Sequence, residues 1–152
     1  MDLRSRLDYL RNEHDEILRF LDDWEGALKL AGHELDAERL KGLSLLREAE
    51  QKLIAIQEHC HREKRAAESP FPIYLDHTMM AQLAQEHERL RLLTNDFLRE
   101  LTFATLLRTD DLVRLGSELL EQLRKHIAYE TGLLKQIETG NAAEEKLPAR
   151  PG

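Results

Sequence analysis

Apolar residues recur at steps of three and four through most of this chain, and the rhythm breaks in three places. From 5 to 30, Leu7, Leu10, Ile17, Leu21, Trp24 and Leu28 share one helix face. Gly32 and the polar run HELDAE interrupt it. The rhythm resumes with Leu43, Leu46, Ala49, Leu53 and Ile56, which predict a second helix to about Ala67. The stretch SPFP, Ser69 to Pro72, is expected to stop it, because proline lacks an N–H and disfavours helix in the residue before it. A third helix is expected from about Asp76, with Met80, Leu83, Leu90, Phe97 and Leu101 on its stripe. After the RTDD break, Thr109 or Asp110 can cap a fourth, which carries Leu112, Leu115, Leu119, Leu123, Leu133 and Ile137 and is expected to end at Gly140. No segment alternates as a strand does. The pattern predicts an all-α, antiparallel up-down-up-down four-helix bundle over 1–138, followed by a disordered polar tail over 139–152.

Composition narrows the function more than the fold. The formal charge of −7 over 152 residues argues against a nucleic-acid partner, which would need a basic face. No stretch approaches the roughly 20 apolar residues of a membrane span, and the charged start MDLRSRLDYL has no apolar leader core, so a cytoplasmic location without membrane contact is expected. The single cysteine, Cys60, excludes an internal disulfide.

The gaps in the stripes carry the chemistry. The first helix steps through 14, which is histidine; the second through His59 and Glu63; the third through His87; the fourth through His126 and Glu130. Every helix thus turns an imidazole inward, and two add a carboxylate one turn later. Buried carboxylates and imidazoles are costly without partners. A pair of divalent cations would supply them, since iron, manganese and zinc accept these donors, and i, i+4 spacing sets His and Glu side by side. HxxxE alone is a short motif that chance provides.

An internal echo adds weight. QEHCHREKRAAE aligns with RKHIAYETGLLK, laying His59 on His126 and Glu63 on Glu130, and NEHDEILRFL aligns with QEHERLRLL, laying His14 on His87. Each of two helical hairpins therefore offers one His from its first helix and HxxxE from its second.

At these residues the chain resembles the hemerythrin-like family, whose members carry the HHE cation-binding domain, over nearly the whole of 5–138. The resemblance implies a four-helix bundle around a non-haem di-iron centre with an oxo or hydroxo bridge. His14, His59, His87 and His126 would be terminal ligands, and Glu63 and Glu130 would bridge. Ferritin-like di-iron bundles use ExxH instead. Two features depart from the family pattern. Oxygen carriers have a second histidine one turn before the third-helix histidine, where this chain has Leu83, a difference that likens it to members linked to iron-centre repair, nitrosative stress or iron sensing. The aromatic-proline pair also comes early here, which makes Glu68 the substitute for Glu63, although nine residues from His59 it would face away.

The remaining candidates are set aside. His33 falls in a loop, His61 on another face, and His77 about 15 Å along the helix from His87. Cys60, beside His59, could be a soft ligand or a redox reporter, but is expected to be a small buried apolar residue, and Tyr129, which could hydrogen-bond near the centre, is expected to be a partly exposed packing residue. The expected function is binding or sensing of O2 or NO, or iron handling, at a two-iron centre in a monomer or homodimer, with at most weak peroxidase or oxidase activity. Zinc or manganese are the alternative metals; the rival functions are a site with zinc or another redox-silent ion that staples the helices, and a metal-free helical interaction module.

Overall fold

The computed structural model describes residues 2–65 and 69–146, with side chains as far as residue 140. Among the described residues the chain is all-helical, in six helices: α1 (Leu3–Ala31), α2 (Asp36–Glu48), α3 (Glu50–Arg62), α4 (Phe71–Tyr74), α5 (His77–Phe103) and α6 (Asp110–Lys146). An isolated bridge between Thr105 and Arg108 in the α5–α6 turn is the one β-type pairing among the described residues. Among the described residues no helix is long and apolar enough to cross a membrane.

Six helices replace the four expected, and the differences are local. The expected second helix is interrupted at Ala49, where Lys52 N–H reaches back only three residues to the Ala49 carbonyl at 3.1 Å. Its apolar stripe survives the break, with Leu43, Leu46, Leu53 and Ile56 all buried. Helix α3 ends at Arg62 rather than near Ala67, and Ala67 itself lies outside the described residues. The SPFP stretch does not simply terminate a helix. It starts α4, because proline is tolerated in a first turn whose N–H groups have no intrahelical partner. Ser69 Oγ accepts from Phe71 N–H at 3.2 Å, and the Phe71 ring is fully buried.

Two other ends follow or depart from their local signals. Helix α5 starts next to Asp76, close to the expected position, and Asp76 caps it, its carboxylate accepting from Met79 N–H at 2.8 Å. Helix α6 continues through Gly140 to Lys146, so 139–146 are helical rather than part of a disordered tail, while 147–152 lie outside the described residues. One glycine costs a helix about 1 kcal/mol, and the helix-favouring AAEEK that follows Asn141 offsets that.

Helix α1 packs against α2 and α6, α5 against α6 and α3. The α1–α2 contact requires glycine at 42: a Cβ there would lie 2.3 Å from Ala31 N and 2.8 Å from Ala27 O, so the two backbones touch. The interior contains two apolar clusters. The larger joins Leu21, Trp24, Leu46, Phe97, Leu119 and Ile127, with Trp24 and Phe97 edge to face at 5.0 Å. The smaller joins Leu7, Leu10, Phe71, Leu83, Leu133 and Ile137. Along the helices the two meet at a polar layer. His14 lies between Leu10 and Ile17, His87 between Leu83 and Leu90, and Glu130 between Ile127 and Leu133.

Candidate metal centre

The polar layer consists of the six residues picked out by the gaps in the stripes. His14, His59, Glu63, His87, His126 and Glu130 are each at most 6% exposed. Helix α1 supplies His14, α3 His59, α5 His87, and α6 both His126 and Glu130. Glu63 follows the last residue of α3 but keeps helical backbone angles, and its N–H bonds to the His59 carbonyl at 3.2 Å. The i, i+4 relation to His59 therefore survives the early end of that helix.

The donor atoms converge across helices. His59 Nε2 lies 3.1 Å from Glu63 Oε1, and His126 Nε2 lies 3.0 Å from Glu130 Oε1, the same relation repeated in the two HxxxE segments. His14 Nε2 is 3.5 Å from Glu130 Oε1 and 4.0 Å from Glu63 Oε2. His87 Nε2 is 3.5 Å from Glu130 Oε2, 3.7 Å from Glu63 Oε1 and 3.1 Å from His126 Nε2. The imidazoles pair edge to face, His14 with His59 at 5.2 Å and His87 with His126 at 4.8 Å.

Close approach is not the same as hydrogen bonding. Both oxygens of Glu63 and Glu130, both ring nitrogens of His14 and Nε2 of His59 are buried with no aligned hydrogen-bond partner. Each such orphan costs about 1–3 kcal/mol, so the layer alone would consume much of the roughly 5–15 kcal/mol that stabilises a domain. Lone pairs that lie about 3 Å apart without sharing a proton suit a common cation: donors around an ion with bonds of about 2.0–2.1 Å stand roughly 2.9–3.4 Å from one another. His14, His59, Glu63 and Glu130 form one group able to hold an ion, with a ligand atom from each within 4.8 Å of the others. Glu63, His87 and His126 form another together with Cys60.

Electrostatics show the same crowding. Burial, together with the facing Glu130, pushes the Glu63 carboxyl well above its usual range. For Glu130 burial acts in the same direction, but Glu63 and the rings of His126, His14 and His87 outweigh it and hold this carboxyl low. His59 is raised to about 10: burial opposes the charged ring, and the hydrogen bond to Glu13 together with the close Glu63 carboxylate overcomes it. Burial and the nearby Glu63 and Glu130 raise the Cys60 thiol, which in the metal-free protein stays protonated.

The structure also brings in residues that the stripe analysis passed over. Glu13 hydrogen-bonds His59 Nδ1, the nitrogen opposite the one facing Glu63, and Arg62 grips the same carboxylate at 3.3 and 3.5 Å. On the other hairpin Glu86 faces His126 Nδ1, at 3.7 Å. A carboxylate behind a ligating histidine fixes its tautomer and ring orientation. The sequence held a signal for both: Glu13 directly precedes His14, Glu86 directly precedes His87, and the echo NEH/QEH repeats the pair.

Of the residues set aside, His61 and His77 are exposed, His61 on the wall of the cavity between α3 and α5, and exposed His33 accepts from Leu35 N–H through Nδ1 at 3.1 Å. Tyr129 is 36% exposed, and Leu83 packs in the smaller apolar cluster. Glu68, the alternative to Glu63, lies outside the described residues. Cys60 is buried as expected, but beside the donors rather than merely among apolar groups. A cavity of about 110 Å³ reaches His87 and Cys60 from the surface between α3 and α5, past Lys64, Arg91 and Thr94.

No protein-family model, curated protein or solved structure matches this chain.

Proposed function

We propose that this chain is a hemerythrin-like metal protein in which α1, the α2–α3 pair, α5 and α6 act as the four arms of a bundle around a two-iron centre. His14 and His59 would serve one ion, His87 and His126 the other, and Glu63 and Glu130 would bridge them. The observation that carries this reading is the convergence of six buried donors, their lone pairs unsatisfied, between two apolar clusters. Iron would supply a reversible one-electron redox change and affinity for a diatomic ligand, neither of which the imidazoles and carboxylates of the layer possess.

The chain's own groups set the terms. The four imidazoles and two carboxylates would hold the cations, Glu13 fixes the back of the His59 ring by a hydrogen bond, and Glu86 stands 3.7 Å behind His126. The apolar clusters above and below restrict water, and the cavity beside His87 is several times the roughly 30 Å³ that a water molecule occupies in the liquid, so O2 or NO fits. These features favour reversible engagement of a small ligand, or iron handling, over turnover of an organic substrate.

The test is iron stoichiometry with absorption spectra of the full chain before and after reduction and exposure to O2 or NO. Two irons per chain, with a near-ultraviolet spectrum that changes on exposure, is the expected result. Zinc in place of iron, with no spectral response, would reduce the centre to a structural staple. Binding of no metal, with stability unchanged by chelator, would leave a metal-free helical module.

A further inference from the structure

One buried group beside the layer has no role in the four-His, two-Glu arrangement. Cys60 is 7% exposed and follows His59 directly, so on α3 the two side chains point about 100° apart. His59 turns toward Glu13 of α1, while Cys60 lines the α3–α5 cavity with His87. Its sulfur lies within 4.8 Å of ligand atoms from Glu63, His87 and His126, which share that mutual spacing. The spacing suits a single ion: tetrahedral donors at about 2.0–2.3 Å from a metal stand roughly 3.3–3.8 Å apart, and opposed octahedral donors about 4.0–4.6 Å.

The internal echo shows what is special about this sulfur. In the register that lays His59 on His126, Cys60 falls on Ile127, which packs in the larger apolar cluster. The thiol therefore breaks the symmetry between the two hairpins, and does so where the cavity opens. Its neighbour Glu63 supplies an independent sign of a ligand, since the residue is 1% exposed and both of its oxygens are buried without a hydrogen-bond partner.

We propose that Cys60 is a further protein ligand, giving the metal position held by Glu63, His87 and His126 a sulfur donor and making the two positions of the centre chemically unequal. This rests on the metal-centre reading above. On binding, the S–H bond is replaced by a sulfur–metal bond and the proton leaves to solvent, without oxidation. The His14, His59, Glu63 and Glu130 position has only nitrogen and oxygen donors, whereas the thiolate makes the other more receptive to ions that accept sulfur.

The test loads metal-free full-length protein with Co²⁺ or Zn²⁺ alone. In the Co²⁺ form a near-ultraviolet thiolate-to-metal charge-transfer band is expected, and it should vanish in Cys60→Ser and Cys60→Ala while the visible bands of nitrogen- and oxygen-bound Co²⁺ remain. In the Zn²⁺ form X-ray absorption of the unsubstituted chain should show sulfur at about 2.3 Å, a readout that needs no variant to fold. Metal bound with only nitrogen and oxygen neighbours, and no charge-transfer band, would overturn the role of Cys60 and leave the six-residue centre standing. Failure to bind Co²⁺, Zn²⁺ and iron alike would overturn both.

Discussion

Removing the carboxylate behind His59 should weaken the metal centre far more than removing its counterpart behind His126. Glu13 is 16% exposed in its side chain, hydrogen-bonds His59 Nδ1 and is itself held by Arg62 at 3.3 Å, so its position is determined from two sides. Glu86 is 41% exposed and stands 3.7 Å from His126 Nδ1, beyond hydrogen-bond reach, so water competes for it. Loss of a carboxylate that orients a ligating histidine typically lowers metal affinity about 10–100-fold, which is about 1.4–2.8 kcal/mol. Glu13→Ala should fall in that range. Glu13→Gln, which keeps an acceptor for the ring N–H but not the charge, should recover part of the loss, and Glu86→Ala should change affinity by less than about threefold. Competition titration against a chelator of known affinity measures all three, and circular dichroism checks that each variant is folded. Equal losses at 13 and 86, or a Glu13→Ala protein that binds like the parent, would refute the idea that the buried carboxylate orients His59.

Three further outcomes follow from the same packing. A metal present at a hundred times its dissociation constant should stabilise the fold by about 2.7 kcal/mol and raise Tm by roughly 5–10 °C in calorimetry; an unchanged Tm would mean that the orphaned donors are not being satisfied. In the metal-free protein Glu13 is lowered from 4.5 to about 2, burial being outweighed by His59, Tyr9 and Arg62, so its contribution is present above pH 4.5 and is lost as pH falls through 2. Urea midpoints across that interval should decline less steeply for Glu13→Gln than for the parent, and parallel curves would count against the assignment. Gly42→Ala forces a Cβ onto the Ala31 and Ala27 backbone and should cost about 3 kcal/mol or more, whereas Gly26→Ala, with nothing within 4 Å of its Cβ, should gain up to about 1 kcal/mol of helix propensity; similar denaturation midpoints for the two would contradict the close α1–α2 crossing.

The helical class and the membership of the polar layer were both legible before any coordinates, and for a common reason. Which residues share a helix face depends only on the 3.6-residue repeat, so the gaps at His14, His59, Glu63, His87, His126 and Glu130 could be read locally, and all six side chains are buried together. Helix ends were less secure, since they depend on the balance of a few small terms. Asp76 caps where its side chain reaches Met79 N–H, but Gly140 does not stop α6, and Pro72 sits inside a short helix instead of ending a long one.

Contacts between helices lay outside that local information. Periodicity alone could not say that Glu13 would cross from α1 to His59, that Arg62 would hold it there, or that Cys60 would face α5 and His87 instead of a purely apolar neighbour. Those pairings depend on the rotation and height of one helix against another, which Gly42 and the interdigitated rings of Trp24 and Phe97 help to set. A face is a property of one helix and its own spacing, whereas a site exists only where several faces are brought to the same height.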